Sequence, residues 1–204
     1  MNAVLAKLGS RLALMLVIVC AVSGHAIAQT NLLSNGSFES GTTGWTIGSG
    51  SCAWASLAAG ATTTQAGGFA APSAILGTQS LLSDSDSIQT CTMYQDVSVP
   101  AGVTQATLGG AAGYNYNDYL DPTGAGCTAA FAVTTTGGVS IAPIYSASGG
   151  TNAPLATFAP VPFAIPAGTT VLRLVATTVS CEGGPAGIVV CVQPFHIEWE
   201  AVGK

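Results

Sequence analysis

Charge is what this sequence has least of. Only 6% of its 204 residues are Asp, Glu, Lys or Arg, where a typical soluble domain carries about 25%. Four basic residues stand against nine acidic ones. Neither nucleic acid nor an anionic membrane is expected as a partner, because a phosphate array is not attracted to such a chain. Cysteine pairs of the C-x-x-C type are missing, and His196 is the only histidine past residue 28, so a zinc-type site is not expected. There is no G-x-S-x-G, no phosphate loop and no dinucleotide fingerprint. Asp84-Ser85-Asp86-Ser87 opens like an EF-hand loop but lacks its glycine and closing glutamate. Arg173 stands alone in the sequence and cannot build an anion-binding cluster. Nothing in the chain looks catalytic.

Long apolar runs are also lacking. Lys7 and Arg11 precede the stretch Leu12–Val19, and Ala26-Ile27-Ala28 follows as a small-x-small cleavage site. That is the layout of a secretory signal peptide over residues 1–28, too short in its apolar part for a membrane-spanning helix of about 20 residues. Cys20 follows Val19, not a small residue, so a lipid anchor is rejected. The expectation is export as a soluble chain with no membrane insertion, ending in the periplasm, at the cell surface or in the medium. Residues 29–204 then form one domain whose only basic side chains are Arg173 and Lys204, against all nine carboxylates. Most of those carboxylates must be solvated, bonded to backbone amides, or bound to a metal ion.

Five cysteines follow residue 28: Cys52, Cys91, Cys127, Cys181 and Cys191. In an oxidising compartment they imply up to two disulfides and one remaining thiol, with 15 ways to arrange them. Cys181 and Cys191 flank the turn signal Glu182-Gly183-Gly184-Pro185, which favours a local clamp. Cys52 with Cys91 is the second pair considered.

What the chain does contain is short runs rich in Val, Ile, Thr and aromatics, set between Gly, Pro and Ser clusters and without helical periodicity. This pattern predicts an all-β chain. Strands are expected near 44–47, 51–57, 74–82, 90–99, 104–113, 128–135, 139–145, 155–165, 170–178 and 188–202, a density that suits a β-sandwich. The Gly/Ala/Thr-rich stretch at 58–70 reads as a loop. Val97-Ser98-Val99-Pro100-Ala101-Gly102-Val103-Thr104 echoes Phe163-Ala164-Ile165-Pro166-Ala167-Gly168-Thr169-Thr170. The echo predicts two similar hairpins in opposite parts of the sandwich.

Three segments carry a family resemblance. Asn31-Leu32-Leu33-Ser34-Asn35-Gly36-Ser37-Phe38-Glu39-Ser40-Gly41, followed by Gly44-Trp45, resembles the opening of galactose-binding-like jelly rolls, among them many bacterial carbohydrate-binding modules. Met93–Gly102 resembles their middle strand and turn, and Phe195–Val202 looks like their final strand. The resemblance implies a jelly-roll β-sandwich and a carbohydrate ligand. It also implies a structural Ca²⁺ held by the opening glutamate, Glu39, and by an acidic residue of the last strand, Glu198, where Asp is commoner. The cation would balance carboxylates that lack basic partners, in the oxygen-rich setting calcium favours. Without an ion, Glu39 caps a turn and Glu198 is solvated. Asn35-Gly36-Ser37 is formally a glycosylation sequon, inside a motif with a better explanation.

Among candidate binding residues, the segment Tyr114, Asn115, Tyr116, Asn117, Asp118, Tyr119, Leu120, Asp121 stands out at the end of a Gly/Ala strand. Aromatic faces stack on sugar C–H groups while amides and carboxylates take hydroxyls, and Tyr supplies both at low entropic cost. The plain alternative is a polar loop at the sandwich edge. Tyr94 and Trp54 are further candidates for an aromatic platform, since Thr92, Tyr94, Asp96 and Ser98 share the polar face of their strand. Trp45 and Trp199 are expected in the core. His196, Glu198 and Glu200 alternate on one strand face, which reads as a solvated surface and not as an acid pair, because catalytic carboxylates flank a bond from opposite sides. Two roles follow. One is a non-catalytic module holding an extracellular or cell-wall polysaccharide. The other is a structural or adhesive surface protein that self-associates, or attaches to the envelope, through its weakly charged surface.

Overall fold

A computed structural model describes residues 32–62, 70–71, 73–74, 77–84, 88–117, 126–150, 153–180 and 187–200. Ten strands run β1 (Thr46–Ile47), β2 (Ala53–Ala58), β3 (Gln79–Asp84), β4 (Gln89–Ser98), β5 (Gln105–Asn117), β6 (Thr128–Thr135), β7 (Ser140–Ser148), β8 (Ala153–Ala164), β9 (Val171–Ser180) and β10 (Gly187–Glu200). All ten expected strands are found, and there is no helix among the described residues. The strands form two five-stranded sheets, β1-β4-β9-β6-β7 and β2-β3-β10-β5-β8, antiparallel throughout. The result is an all-β jelly-roll sandwich.

Alternation builds the core. Cys91, Met93, Gln95 and Val97 of β4 are buried, as are Leu172, Leu174, Ala176 and Thr178 of β9. The apolar ones among them meet Leu81, Ala106, Leu108 and Phe163 from the other sheet in one cluster. The intervening residues of β4 and β9 are left on the outer face, where the period of two must place them.

The repeated Pro-Ala-Gly segments are not hairpins. Each carries the chain from one sheet to the other, β4 to β5 and β8 to β9. They lie side by side, joined by Val99 N–H to Thr170 O at 2.9 Å and Ile165 N–H to Thr104 O at 2.8 Å. Both close as four-residue turns, Val103 N–H to Pro100 O and Thr169 N–H to Pro166 O. Gly102 and Gly168 sit at φ +83° and +81°, the third position of a type II turn, where a side chain is disfavoured. The similarity of sequence thus marks two neighbouring corners at one end of the sandwich, correcting the expectation of separate hairpins.

The opening motif is a folded knot against β4. Asn35, at φ 50°, donates its amide to Gly41 O and Thr43 O and accepts from Ser40 N–H. Buried Gln95 accepts from Ser34 N–H and donates to Ser34 O and Gly44 O. Phe38 is fully buried against Trp45, with ring centroids 5.1 Å apart.

Cys52 and Cys91 form a disulfide with Cα atoms 6.0 Å apart, and Cys127 is disulfide-bonded as well. The expected Cys181–Cys191 clamp lies outside the described residues.

Candidate functional site

The outer face of the first sheet carries a cleft of about 530 Å³, within the ~300–1,000 Å³ range of small-ligand sites. Thr92 and Tyr94 of β4 form one wall, and Arg173, Val175 and Thr177 of β9 with Ala132 and Thr134 of β6 line the rest. The far side is the β6–β7 turn, through Thr136, Gly137, Gly138 and Ser140. This turn is a three-residue loop closed by Thr135 N–H to Val139 O at 2.9 Å, with Gly138 at φ +85°, a geometry that calls for glycine. Register shifts at Phe131/Ala132 and at Val133/Thr134 interrupt the β6–β7 ladder below it. Such bulges bend and twist an edge pair, and here they precede the hairpin end that walls the cleft.

Three side chains form the polar centre of this face. Arg173 Nε donates to Asp96 Oδ1 at 2.7 Å and Nη2 to Asp96 Oδ2 at 2.8 Å. The guanidinium carbon sits 3.7 Å from the centroid of the Tyr94 ring. The β4–β9 ladder sets this up by placing Asp96 opposite Arg173 and Tyr94 opposite Val175, so Arg173 reaches sideways to one neighbour and diagonally over the other. The hydrogen bond to Asp96 raises the Arg173 pKa above its ordinary value; burial opposes it, and the smaller charge effects of Asp96 and Tyr94 add to the rise. The planar fork makes two parallel bonds to the carboxylate, and ring stacking adds a cation–π contact. Of the five guanidinium N–H groups, Asp96 uses two, and among the described residues Nη1 is left to donate to a ligand.

Placement of the other expected residues differs. Tyr94 lies in the cleft wall as the strand pattern implied. Trp54 does not join it. The indole points inward, where it is 9% exposed within the core and its Nε1 has no hydrogen-bond partner among the described residues. Tyr114, Asn115, Tyr116 and Asn117 belong to β5, four residues beyond the expected strand end at 113, and pair with β10 from Val190 to Gly187. They are in the second sheet, not the sheet of the cleft. Their side chains, and Asp118, Tyr119, Leu120 and Asp121 entirely, lie outside the described residues. Arg173 is the residue sequence reasoning missed. Its signal was alternation, since it lies between buried Leu172 and Leu174 just as Tyr94 and Asp96 alternate with Met93, Gln95 and Val97.

Glu39 is a clasp. Its Oε1 accepts from Thr78 N–H at 2.7 Å and Gln79 N–H at 3.0 Å, and its Oε2 from Thr78 Oγ1 at 2.6 Å. These donors take three of roughly four lone-pair directions, and a Cβ on Gly77 would strike this carboxylate. Among the described residues no group of three metal-ligating side chains forms. Glu198 is placed opposite Thr107 in the β10–β5 ladder, its side chain outside the described residues. The described residues around Glu39 form a hydrogen-bonded clasp. The Thr78 hydroxyl, then the Thr78 and Gln79 amides, hold the Glu39 pKa below 4.5. A carboxylate whose folded pKa is depressed contributes stability above its unfolded pKa and loses it as pH falls through the folded value. Melting temperature is expected to drop as pH falls below about 4.5, with a shallower drop in Glu39→Gln. A rise in melting temperature in millimolar Ca²⁺ over EDTA is the outcome expected if Glu39 and Glu198 share a cation.

The sequence matches no protein family model, and no curated protein is similar to it. Solved structures are similar in fold. The carbohydrate-binding module TmCBM61, solved with β-1,4-galactotriose, superposes with a TM-score of 0.51 at 17% identity, over 84% of this chain and 99% of that one. This chain shares that module's β-sandwich fold. Larger proteins contain the same sandwich. The enzymatically active domain of bacteriophage CBA120 tailspike protein 4 matches at a TM-score of 0.53 and 14% identity over 83% of this chain. The arabinose-bound α-L-arabinofuranosidase MgGH51 matches at 0.51 and 13% identity over 84%. This chain spans about a fifth of the first and a quarter of the second, 21% and 26%.

Proposed function

We propose that this chain is an exported, non-catalytic module that binds an extracellular or cell-wall glycan in the cleft on the outer face of the first sheet. The observation that carries the reading is the Tyr94–Arg173–Asp96 stack in a face otherwise made of Thr, Ala, Val and Gly. An aromatic ring, a guanidinium with free N–H groups, and hydroxyls on Thr134, Thr136, Thr177 and Ser140 are the groups that recognise a sugar's C–H faces and hydroxyls. The complex of TmCBM61 with β-1,4-galactotriose supports the same ligand class. Binding without cleavage is supported by the state of Asp96, the cleft's carboxylate among the described residues. It is tied to Arg173, whereas glycoside hydrolysis uses two carboxylates on either side of the bond. Two disulfide-bonded cysteine sites, Cys52–Cys91 and Cys127, support an oxidising destination.

The test is depletion of the protein from solution by insoluble polysaccharides, including peptidoglycan and plant cell-wall glucans. Selective loss onto one of them, reversed by its soluble fragments, is the expected result. Uniform recovery in the supernatant would sink the reading and leave a structural surface role in front.

A further inference from the structure

The cleft's ligand class can be narrowed by its charge, an inference that rests on the glycan reading above. Arg173 is the one basic side chain between residue 28 and the terminal Lys204, in a stretch with nine carboxylates. A free arginine on a binding face would attract the carboxylates of uronate-rich polymers. This one is not free. Both Asp96 oxygens accept from it, at 2.7 and 2.8 Å, and its plane is held over Tyr94. The remaining cleft lining is uncharged: threonine and serine hydroxyls, glycine, alanine and valine. An incoming carboxylate would meet a guanidinium whose Nε–Nη2 edge is filled and whose charge is already offset, beside an Asp96 carboxylate of its own sign, on a chain of net negative charge. A neutral sugar meets none of these penalties. It can stack on the Tyr94–Arg173 platform and take the free Nη1 donors with its ring or hydroxyl oxygens.

We infer that Asp96 is the specificity-determining residue of the cleft: by neutralising and immobilising Arg173 over Tyr94, it makes the site select uncharged glycans and reject uronate-bearing ones. Asp96 acts through Arg173 and needs no contact with the ligand. Discrimination of this kind depends on a repulsive element as much as on an attractive one.

The experiment is electrophoresis of the folded protein through native gels containing β-1,4-galactan or β-1,4-glucan, each beside the same polymer oxidised at C6 to the carboxylate. Wild type is expected to be retarded at least tenfold more strongly by a native polymer than by its oxidised form. Asp96→Asn keeps the shape of the pair, removes its negative charge and exposes the guanidinium. It is expected to gain retention on the oxidised polymer, abolished by about 0.3 M NaCl, as screening of an exposed ion pair requires, and to lose part of its retention on the native one. Asp96→Asn combined with Arg173→Gln is expected to lose the new retention, which a merely structural role for Asp96 would not produce. Thermal melts confirm that each variant is folded. Equal or stronger retention of wild type on an oxidised polymer overturns the inference while the glycan reading stands, as does an Asp96→Asn protein whose preference is unchanged. No retention on any of the four polymers, native or oxidised, overturns both.

Discussion

Tyr94→Ala is expected to weaken glycan retention by about 30-fold while leaving the protein folded. The ring is the aromatic wall of the cleft and the surface on which Arg173 rests, so its removal deletes a stacking face and releases the guanidinium as well. Truncation of a well-placed tyrosine at a binding centre costs about 2 kcal/mol, which corresponds to roughly 30-fold in affinity. Stability should change little, because Tyr94 is on the outer face of β4 while Met93 and Gln95 on either side hold the core. Affinity electrophoresis on the polymer that retains wild type measures the first effect and a urea titration the second. The companion variant replaces Tyr114, Tyr116 and Tyr119 together by Ala. If it loses retention and Tyr94→Ala does not, the site belongs to the end of β5 in the second sheet, and the cleft assignment is wrong.

Those two variants test a point at which the sequence was ambiguous. Tyr-Asn-Tyr-Asn-Asp-Tyr is conspicuous because its residues are contiguous, whereas the cleft is assembled from four strands and a turn. Asp96 and Arg173 are separated by 77 residues and meet only through the β4–β9 ladder, so Arg173 looked isolated along the chain. Alternation correctly placed Tyr94 and Asp96 together on the outward face of β4, and the same rule applied to β9 would have placed Arg173 with them. Alternation could not say which strands are neighbours. That gap also explains the Pro-Ala-Gly echo, whose turn chemistry was legible but whose role as paired corners depends on sheet membership. Trp54 shows the converse limit. A tryptophan in a short strand of small residues looks like a platform until the β2–β3 ladder turns it inward, opposite Ser83. Glu39 was legible as a member of a motif, but its partners Thr78 and Gln79 lie 39 and 40 residues away, too far for spacing alone to separate a clasp from an ion site. Strands such as β4 and β6 were legible because each is an alternating run ended by Pro or Gly, a signal local to the strand.

Replacing both Cys52 and Cys91 by alanine is expected to lower the unfolding free energy by about 4 kcal/mol, the loop-closure value for a bridge of this span, here a sequence separation of 39. The bridge joins the residue that leads into β2, at the edge of one sheet, to the third residue of β4 in the other. The loop it closes contains β2, β3 and the Gly/Ala/Thr-rich stretch between them, a part of the chain that supplies few large apolar side chains. Without the cross-link, the unfolded chain regains the freedom of that loop, while the folded state keeps most of its packing because both sulfurs are replaced within the same core cluster. A domain of this size holds only about 5–15 kcal/mol in total, so the loss is a large share. It should lower the melting temperature by about 8–16 °C, taking ~2–4 °C per kcal/mol. The buried site makes the native bond hard to reach: Cys91 is fully buried and Cys52 nearly so, and Cys52 N–H points at the Cys91 sulfur from 3.1 Å. Mild reductant is therefore expected to leave the native protein unchanged and to destabilise it only once urea has opened the sandwich. Equal urea midpoints for wild type and the double variant would show that the bridge adds nothing to the fold. A cross-linked peptide joining Cys52 to any partner but Cys91 would remove its basis.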